Sequence, residues 1–324
     1  MAFANEANAF FCGRKPHTNP SDWIGWPLLR HGRLMFRDEL RAPILFYNLK
    51  GGEMFDLRFK KCAMSLVLVM CGLLLAAGNV FATPTTLIWT PSTDIQPYKK
   101  IHLNLDGYFP VAKKDHTGAR VYVLQVYGPT FSLLSDKPEE NLLGKVWQPL
   151  GKIMAETGFD YKKGLGHTLD QWPWYFHFKL GVPEDAYFKN MPAFAIGAYD
   201  MGIKHERTNY NVWYARMAKT LKIWEFDLGR FSVGYFNGNA RLLRDKNGLR
   251  DHSGPMFAWE RVMKEISNKL WVCADYQSTQ SAYGAMNLGF SWKFTDNVAV
   301  IVGYDIYNNP NLRNTLTMQF DIDF

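Results

Sequence analysis

Acidic and basic side chains recur along this chain on one face of alternating segments, and any chemistry it performs would lie there. Asp106, Glu156, Asp160, Asp200, Glu260, Asp275 and Asp305 supply negative charge, while Lys179, Arg216, Arg230 and Lys293 supply positive charge. Lys152, Lys204, Asp321 and Asp323 extend the set. Around a water-filled passage, such groups set which ions and polar solutes pass. In a narrow interior, the same groups pair with one another and fill it. The sequence leaves both readings open. Catalytic signatures are missing: no HExxH, GxSxG, Walker A or CxxCH pattern occurs. His205-Glu206 opens like a zinc motif, but Asn209 stands where the second histidine belongs. No spacing marks a metal site or a cofactor. A hydrolase on the wall of such an interior, built from scattered His, Ser and Asp, is the least supported reading.

These charges need elements that hold them on one face, and the period of the sequence says which. From residue 100 onward the dominant period is two, the period of a strand. From Thr315 to Phe324 every even position is apolar and every odd one polar or charged. The same alternation runs through Trp174–Leu180, Met286–Lys293 and Val298–Asp305. It predicts about twelve strands, near 100–109, 121–134, 150–161, 174–182, 193–204, 209–221, 227–237, 255–263, 269–277, 281–293, 297–307 and 313–324. In 209–221, Arg216 and Lys219 fall on opposite parities, which a bulge would reconcile. No stretch has the pattern of an amphipathic helix. The segments run nine to thirteen residues, longer than usual soluble strands and long enough to cross a bilayer when tilted. Aromatic side chains sit toward the ends of the apolar faces, as in a girdle. The expected fold is all-β, a transmembrane antiparallel up-and-down barrel of about twelve strands.

The stretch before the barrel reads as targeting sequence. Ala63–Ala77 is apolar, follows Arg58, Lys60 and Lys61, and precedes Val80-Phe81-Ala82. That is the order of a secretory signal, cleaved between Ala82 and Thr83. Met54 gives the signal, 54–82, an ordinary length. Purine-rich codons for Lys50-Gly51-Gly52-Glu53 would spell a ribosome-binding site, so 1–53 reads as an unstructured leader. Residues 83–99 are then a periplasmic lead-in and 100–324 the barrel.

The 324 residues carry a net charge of +7, which by itself suggests nucleic acid as a partner. Ten of the 37 basic and six of the 30 acidic residues lie in 1–82, leaving +3 beyond it, so nucleic acid is not expected. The mean hydropathy of −0.22 excludes a polytopic helical membrane protein, not a barrel. Cys273 is the only cysteine beyond residue 82, on the face of Trp271 and Asp275, and reads as a small packed residue. Tyr283, Asn287 and Ser291 share one face suited to hydrogen bonding. The polar loop 239–254 either folds inward or faces solvent.

The signal, the alternating strands and the run Met318-Gln319-Phe320-Asp321-Ile322-Asp323-Phe324 resemble a Gram-negative outer-membrane β-barrel. Trp271–Gln277 with Val302-Gly303-Tyr304-Asp305 resembles uncharacterised barrels of delta-proteobacterial type, with a looser likeness to transporter barrels linked to phenol degradation. The resemblance implies that Phe320, Ile322 and Phe324 form the signal read by the barrel-assembly machinery. It also implies outer-membrane lipids as surroundings and both termini in the periplasm, and it carries over no catalytic residue. The expected function is a porin-like channel for passive diffusion of small polar or ionic solutes. The competing expectation is a closed barrel that presents surface loops or anchors a partner protein.

Overall fold

A computed structural model describes residues 85–112, 123–135, 137–166 and 169–324. The leader 1–53, the signal 54–82 and the pair Ala82 and Thr83 lie outside the described residues. Twelve strands follow in chain order: β1 (Ile101–Ala112), β2 (Leu124–Ser132), β3 (Met154–Lys163), β4 (Trp174–Val182), β5 (Ala193–Gly202) and β6 (Asn209–Ile223). They continue as β7 (Phe226–Asn237), β8 (Ser253–Val262), β9 (Leu270–Gln277), β10 (Ala285–Lys293), β11 (Val298–Tyr307) and β12 (Asn314–Asp323). Each pairs antiparallel with its chain neighbours, and β1 pairs with β12 to close the barrel. Every backbone edge is thereby satisfied, as a lipid-exposed sheet requires. Among the described residues no helix is long and apolar enough to cross a membrane. All twelve segments marked by the period of two are strands, with ends shifted by a few residues.

The polarity is inside-out relative to a soluble barrel. On β12, Thr315, Thr317 and Gln319 are buried in the interior, whereas Leu316 is exposed outward. On β10, Asn287 is fully buried while Met286, Leu288, Phe290 and Trp292 are exposed. Trp174 and Tyr235 stand near one end of this apolar band, and Trp292 and Phe194 near the other. In water such a surface would be a large aggregating patch. In a bilayer it is the contact face, with aromatic rings at both interfaces.

We call the end where β1 starts and β12 finishes the terminal mouth. Three of its turns are short: Trp224–Glu225, 263–269 and 294–297. Its two longer connections are ordered. Within 133–153, Asn141 caps a one-turn helix, α1 (Leu142–Val146), by accepting from the Leu143 N–H at 2.9 Å. The same side chain donates to the Ser135 and Ile153 carbonyls at 2.7 and 2.8 Å, tying the loop down. The period of two could not foresee this helix, because one turn is too short to display a helical period. In 183–192, Glu184 and Asp185 meet Lys219 at 3.1 and 3.3 Å. Those contacts, not a bulge between Arg216 and Lys219, explain the parity conflict in β6. Arg216 faces inward and Lys219 reaches the rim, while the register irregularities of β6 lie between Asn209 and Val212 against β5 and at Leu221/Lys222 against β7. At the opposite end the loops fold over the opening: Leu165, Leu169, Leu242, Leu243 and Leu312 are buried there with Tyr210 and Phe236. Loop 239–254 thus turns Leu242 and Leu243 inward and leaves Leu249 exposed.

Candidate functional site

The lumen holds a segment of the chain itself. Residues 85–97, expected as part of an external lead-in, run inside the barrel instead; Leu87, Ile88, Trp89 and Thr90 are at most 1% exposed. Thr86 bridges Pro91, the Leu87 N–H donates to the Thr90 carbonyl at 2.8 Å, and the Ser92 N–H to the Thr85 carbonyl at 3.2 Å. The segment is therefore a tight hairpin with Ile88 and Trp89 at its tip. An apolar tip flanked by Thr, Pro and Ser cannot join the lipid-facing wall without exposing its backbone to hydrocarbon, so it seeks burial in the lumen.

The inward charges expected to line a pore hold this hairpin. On β9, one Asp275 carboxylate oxygen accepts the N–H groups of Ile88, Trp89 and Thr90 at 2.9, 2.9 and 3.4 Å. Its other oxygen accepts from Asn287 Nδ2 at 2.6 Å. Arg216 on β6 donates to Thr90 Oγ1 and the Pro91 carbonyl at 2.6 and 2.7 Å. Lys179 on β4 donates to the Thr85 and Asp94 carbonyls, both at 2.7 Å, and pairs with Glu156 on β3 at 2.8 Å. Glu156 accepts the Gln96 N–H at 2.7 Å. Arg230 on β7 grips the Asp94 carboxylate at 2.7 and 2.8 Å and lies 3.7 Å from Glu260 on β8. A buried charge is tolerated only when paired and hydrogen-bonded, and the hairpin supplies much of that pairing.

The remaining expected residues lie elsewhere in the interior. Asp106 and Asp160 line a cavity of about 100 Å³ between the hairpin and the wall formed by β12 and β1–β6, with His102, Asn104, Lys162 and His177. Asp106 accepts from Asn104 Nδ2 at 3.2 Å. Asp160 lies 3.9 Å from both His177 and Lys162. Asp200 on β5 pairs with Lys162 and accepts the Tyr283 hydroxyl at 2.5 Å. Asp305 on β11 accepts from Thr315 Oγ1 at 2.6 Å. Lys293 stands at the terminal rim, 3.0 Å from Asp296. Phe320 and Phe324 are partly exposed, whereas Ile322 is buried beside the β1 seam. Cys273 is buried facing the hairpin. Tyr283 lies in the turn before β10 and does not share the strand face of Asn287 and Ser291.

Three features escaped the sequence reading. The first is the hairpin, whose signal was the apolar triplet Leu87-Ile88-Trp89 ahead of the first strand. The second is a notch made by Gly289 and Gly303, which face each other across β10 and β11. A Cβ on Gly303 would come 2.9 Å from both Ile88 Cγ2 and Thr317 Cγ2, and one on Gly289 2.5 Å from the Val302 carbonyl and 3.0 Å from Ile88 Cδ1, so glycine at both positions leaves room for the tip and for the neighbouring strands. The third is an aromatic layer: Trp89 packs edge-on against Tyr108 and Tyr307, with ring centroids 5.7 and 5.5 Å away. Tyr210 sits 5.4 Å from Tyr283 and 6.4 Å from Tyr175.

A closed, edge-free sheet with an apolar exterior and a charged interior defines the class: a transmembrane β-barrel of outer-membrane type. Among solved structures, similarity is found to a porin described as KdgM, 7% identical, with a TM-score of 0.40 over 69% of this chain and 99% of that one. The Acinetobacter baumannii outer membrane protein Omp33 is 11% identical, with a TM-score of 0.38 over 69% and 98% of the two chains. Outer membrane phospholipase A from Escherichia coli is 13% identical, with a TM-score of 0.36 over 70% and 92%. No family model matches the chain, and no curated protein does.

Proposed function

We propose that this protein is an outer-membrane channel of porin type for small polar or ionic solutes, closed at rest by its own hairpin 85–96. The observation that carries the reading is how the hairpin is held. Asp275, Arg216, Lys179, Glu156 and Arg230 bind it through hydrogen bonds and ion pairs, and it adds no strand to the sheet. Such contacts exchange with water and ions, so the barrel can keep its wall while the hairpin leaves. The charges exposed by its departure would then set selectivity for solutes diffusing passively. In this reading both termini face the periplasm, and Phe320, Ile322 and Phe324 present the assembly signal. Outer-membrane lipids cover the apolar band.

The tyrosine layer and the inward-folded loops at the far end favour a second reading, a permanently closed barrel that displays loops or anchors a partner. Planar-bilayer recording separates the two. The full-length chain should give rare openings, and a full-length variant with residues 85–96 replaced by alternating Gly and Ser should give frequent, larger ones. Silence from both, with each showing heat-modifiable gel migration, sinks the channel and leaves the closed barrel.

A further inference from the structure

We propose that the lumen is a peptide-binding site, occupied in cis by residues 85–96, whose ligands in trans are short peptides carrying an aromatic residue at a turn. This rests on the channel reading and names its solute class. The wall recognises main chain. Four hairpin N–H groups, on Ile88, Trp89, Thr90 and Gln96, are accepted by Asp275 and Glu156. Four carbonyls, on Thr85, Ile88, Pro91 and Asp94, receive Lys179, Gln319 and Arg216. Simple counter-ions would leave Asp275 facing a cation; here one carboxylate oxygen gathers three successive amides. These groups exist in every peptide, and no inorganic ion offers this alternation of donors and acceptors.

Side-chain pockets add selectivity to the main-chain contacts. The Trp89 indole lies between Tyr108 and Tyr307 and donates to the Tyr283 carbonyl at 2.9 Å. Ile88 enters the notch of Gly289 and Gly303. Arg230 takes a carboxylate five residues after the aromatic position. Tethering to β1 through a short connection gives the hairpin an effective concentration on the order of millimolar. A free peptide therefore competes poorly with the native hairpin and well once that hairpin is neutralised.

The test uses the full-length Gly/Ser variant of residues 85–96 in detergent. The probe is a synthetic peptide of sequence Thr85–Gln96 with a photoreactive phenylalanine at the position of Trp89. Saturable binding is expected at or below roughly millimolar concentration, with crosslinks to β1 or β11. Scrambling the peptide, or Asp275→Asn in the barrel, should weaken binding at least about tenfold, one lost charge-assisted contact. Absence of saturable binding by about 10 mM, an order above the tethered concentration, overturns the proposal. So does binding that the scrambled peptide equals. If the Gly/Ser variant shows no heat-modifiable band, the Trp89→Ala/Asp94→Ala double variant replaces it in the same assay, under the same criteria. Conductance with no peptide binding leaves the channel and removes this site. Peptide binding to a barrel that never conducts keeps the site and removes the channel.

Discussion

Asp275 on β9 and Trp89 in the hairpin are joined at 2.9 Å, carboxylate to backbone amide, across 186 residues of sequence. This contact, flanked by the amides of Ile88 and Thr90, fixes the hairpin tip at the middle of the barrel. It makes a lumenal charge that reads as pore lining the seat of the hairpin, which in the proposed function is a plug.

Removing that seat should free the plug without opening the wall. Asp275→Ala deletes three hairpin hydrogen bonds and leaves Arg216 short of a nearby anion. Truncating one partner of a buried charged contact costs about 3–5 kcal/mol. Protease sites in 85–98 should become accessible and channel openings more frequent, while heat-modifiable migration persists. Unchanged protection of 85–98 would contradict the assignment of Asp275.

The glycine notch gives a steric version of the same test. Gly303→Ala places a methyl 2.9 Å from Ile88 Cγ2 and equally close to Thr317 Cγ2 on β12, and of the two the hairpin tip, held by side chains rather than by the sheet, is expected to shift. Overpacking of this kind costs about 1–3 kcal/mol. Openings should increase, and Ile88→Leu, which removes the Cγ2 branch at Cβ, should bring them back toward wild type. Failure of the second substitution to compensate would show that Ile88 is not what the glycine accommodates.

The closing seam between β1 and β12 depends on His102. Its Nδ1 lies 2.9 Å from Asp323 and its Nε2 3.3 Å from Asp321, and all three groups are buried. Gln96 of the hairpin also donates to Asp323, at 3.0 Å. Asp323→Ala therefore strips a partner from both the seam and the plug, at a cost of about 3–5 kcal/mol. The temperature at which the folded gel band is lost should fall clearly, and by more than for Lys293→Ala at the exposed rim.

Acid should loosen the terminal mouth through Glu184, in the turn between β4 and β5. Burial pushes its carboxyl up. That push is outweighed by the Thr220 N–H at 3.0 Å, the Thr220 hydroxyl at 2.8 Å, Lys219 and Arg230, so the group stays charged below the usual carboxylate value of 4.5. A depressed carboxylate contributes stability that is complete above the ordinary value and is lost as pH falls through the lowered one. Thr220→Val removes the hydroxyl and keeps the amide. Cleavage of the 183–192 turn by an acid protease should then begin at a higher pH than in the wild type.

The strands were legible because a barrel wall has lipid on one side and polar groups on the other. Each strand must therefore alternate, and Thr315–Phe324 shows this with no break. The inward face of Asp275, Arg216 or Asp305 follows from parity alone. What those groups touch does not. Asp275 meets Ile88–Thr90, and Glu156 meets Gln96, only because the closed wall brings β9 and β3 around the same short segment. No periodic signal marks that segment, since a hairpin of a dozen residues held by side chains has no repeating face. The helix α1 was hidden for a related reason, its single turn.

The sequence by itself determined the wall: twelve alternating segments, their inward charges and their apolar outer face, all set by local period and the demand that every backbone group be paired. Only the tertiary structure decided what occupies the space inside. That outcome depends on contacts such as Asp275 to Trp89 and Ile88 to Gly303, between residues nearly two hundred or more positions apart. Their meeting is a property of barrel closure, which no stretch of the chain encodes alone.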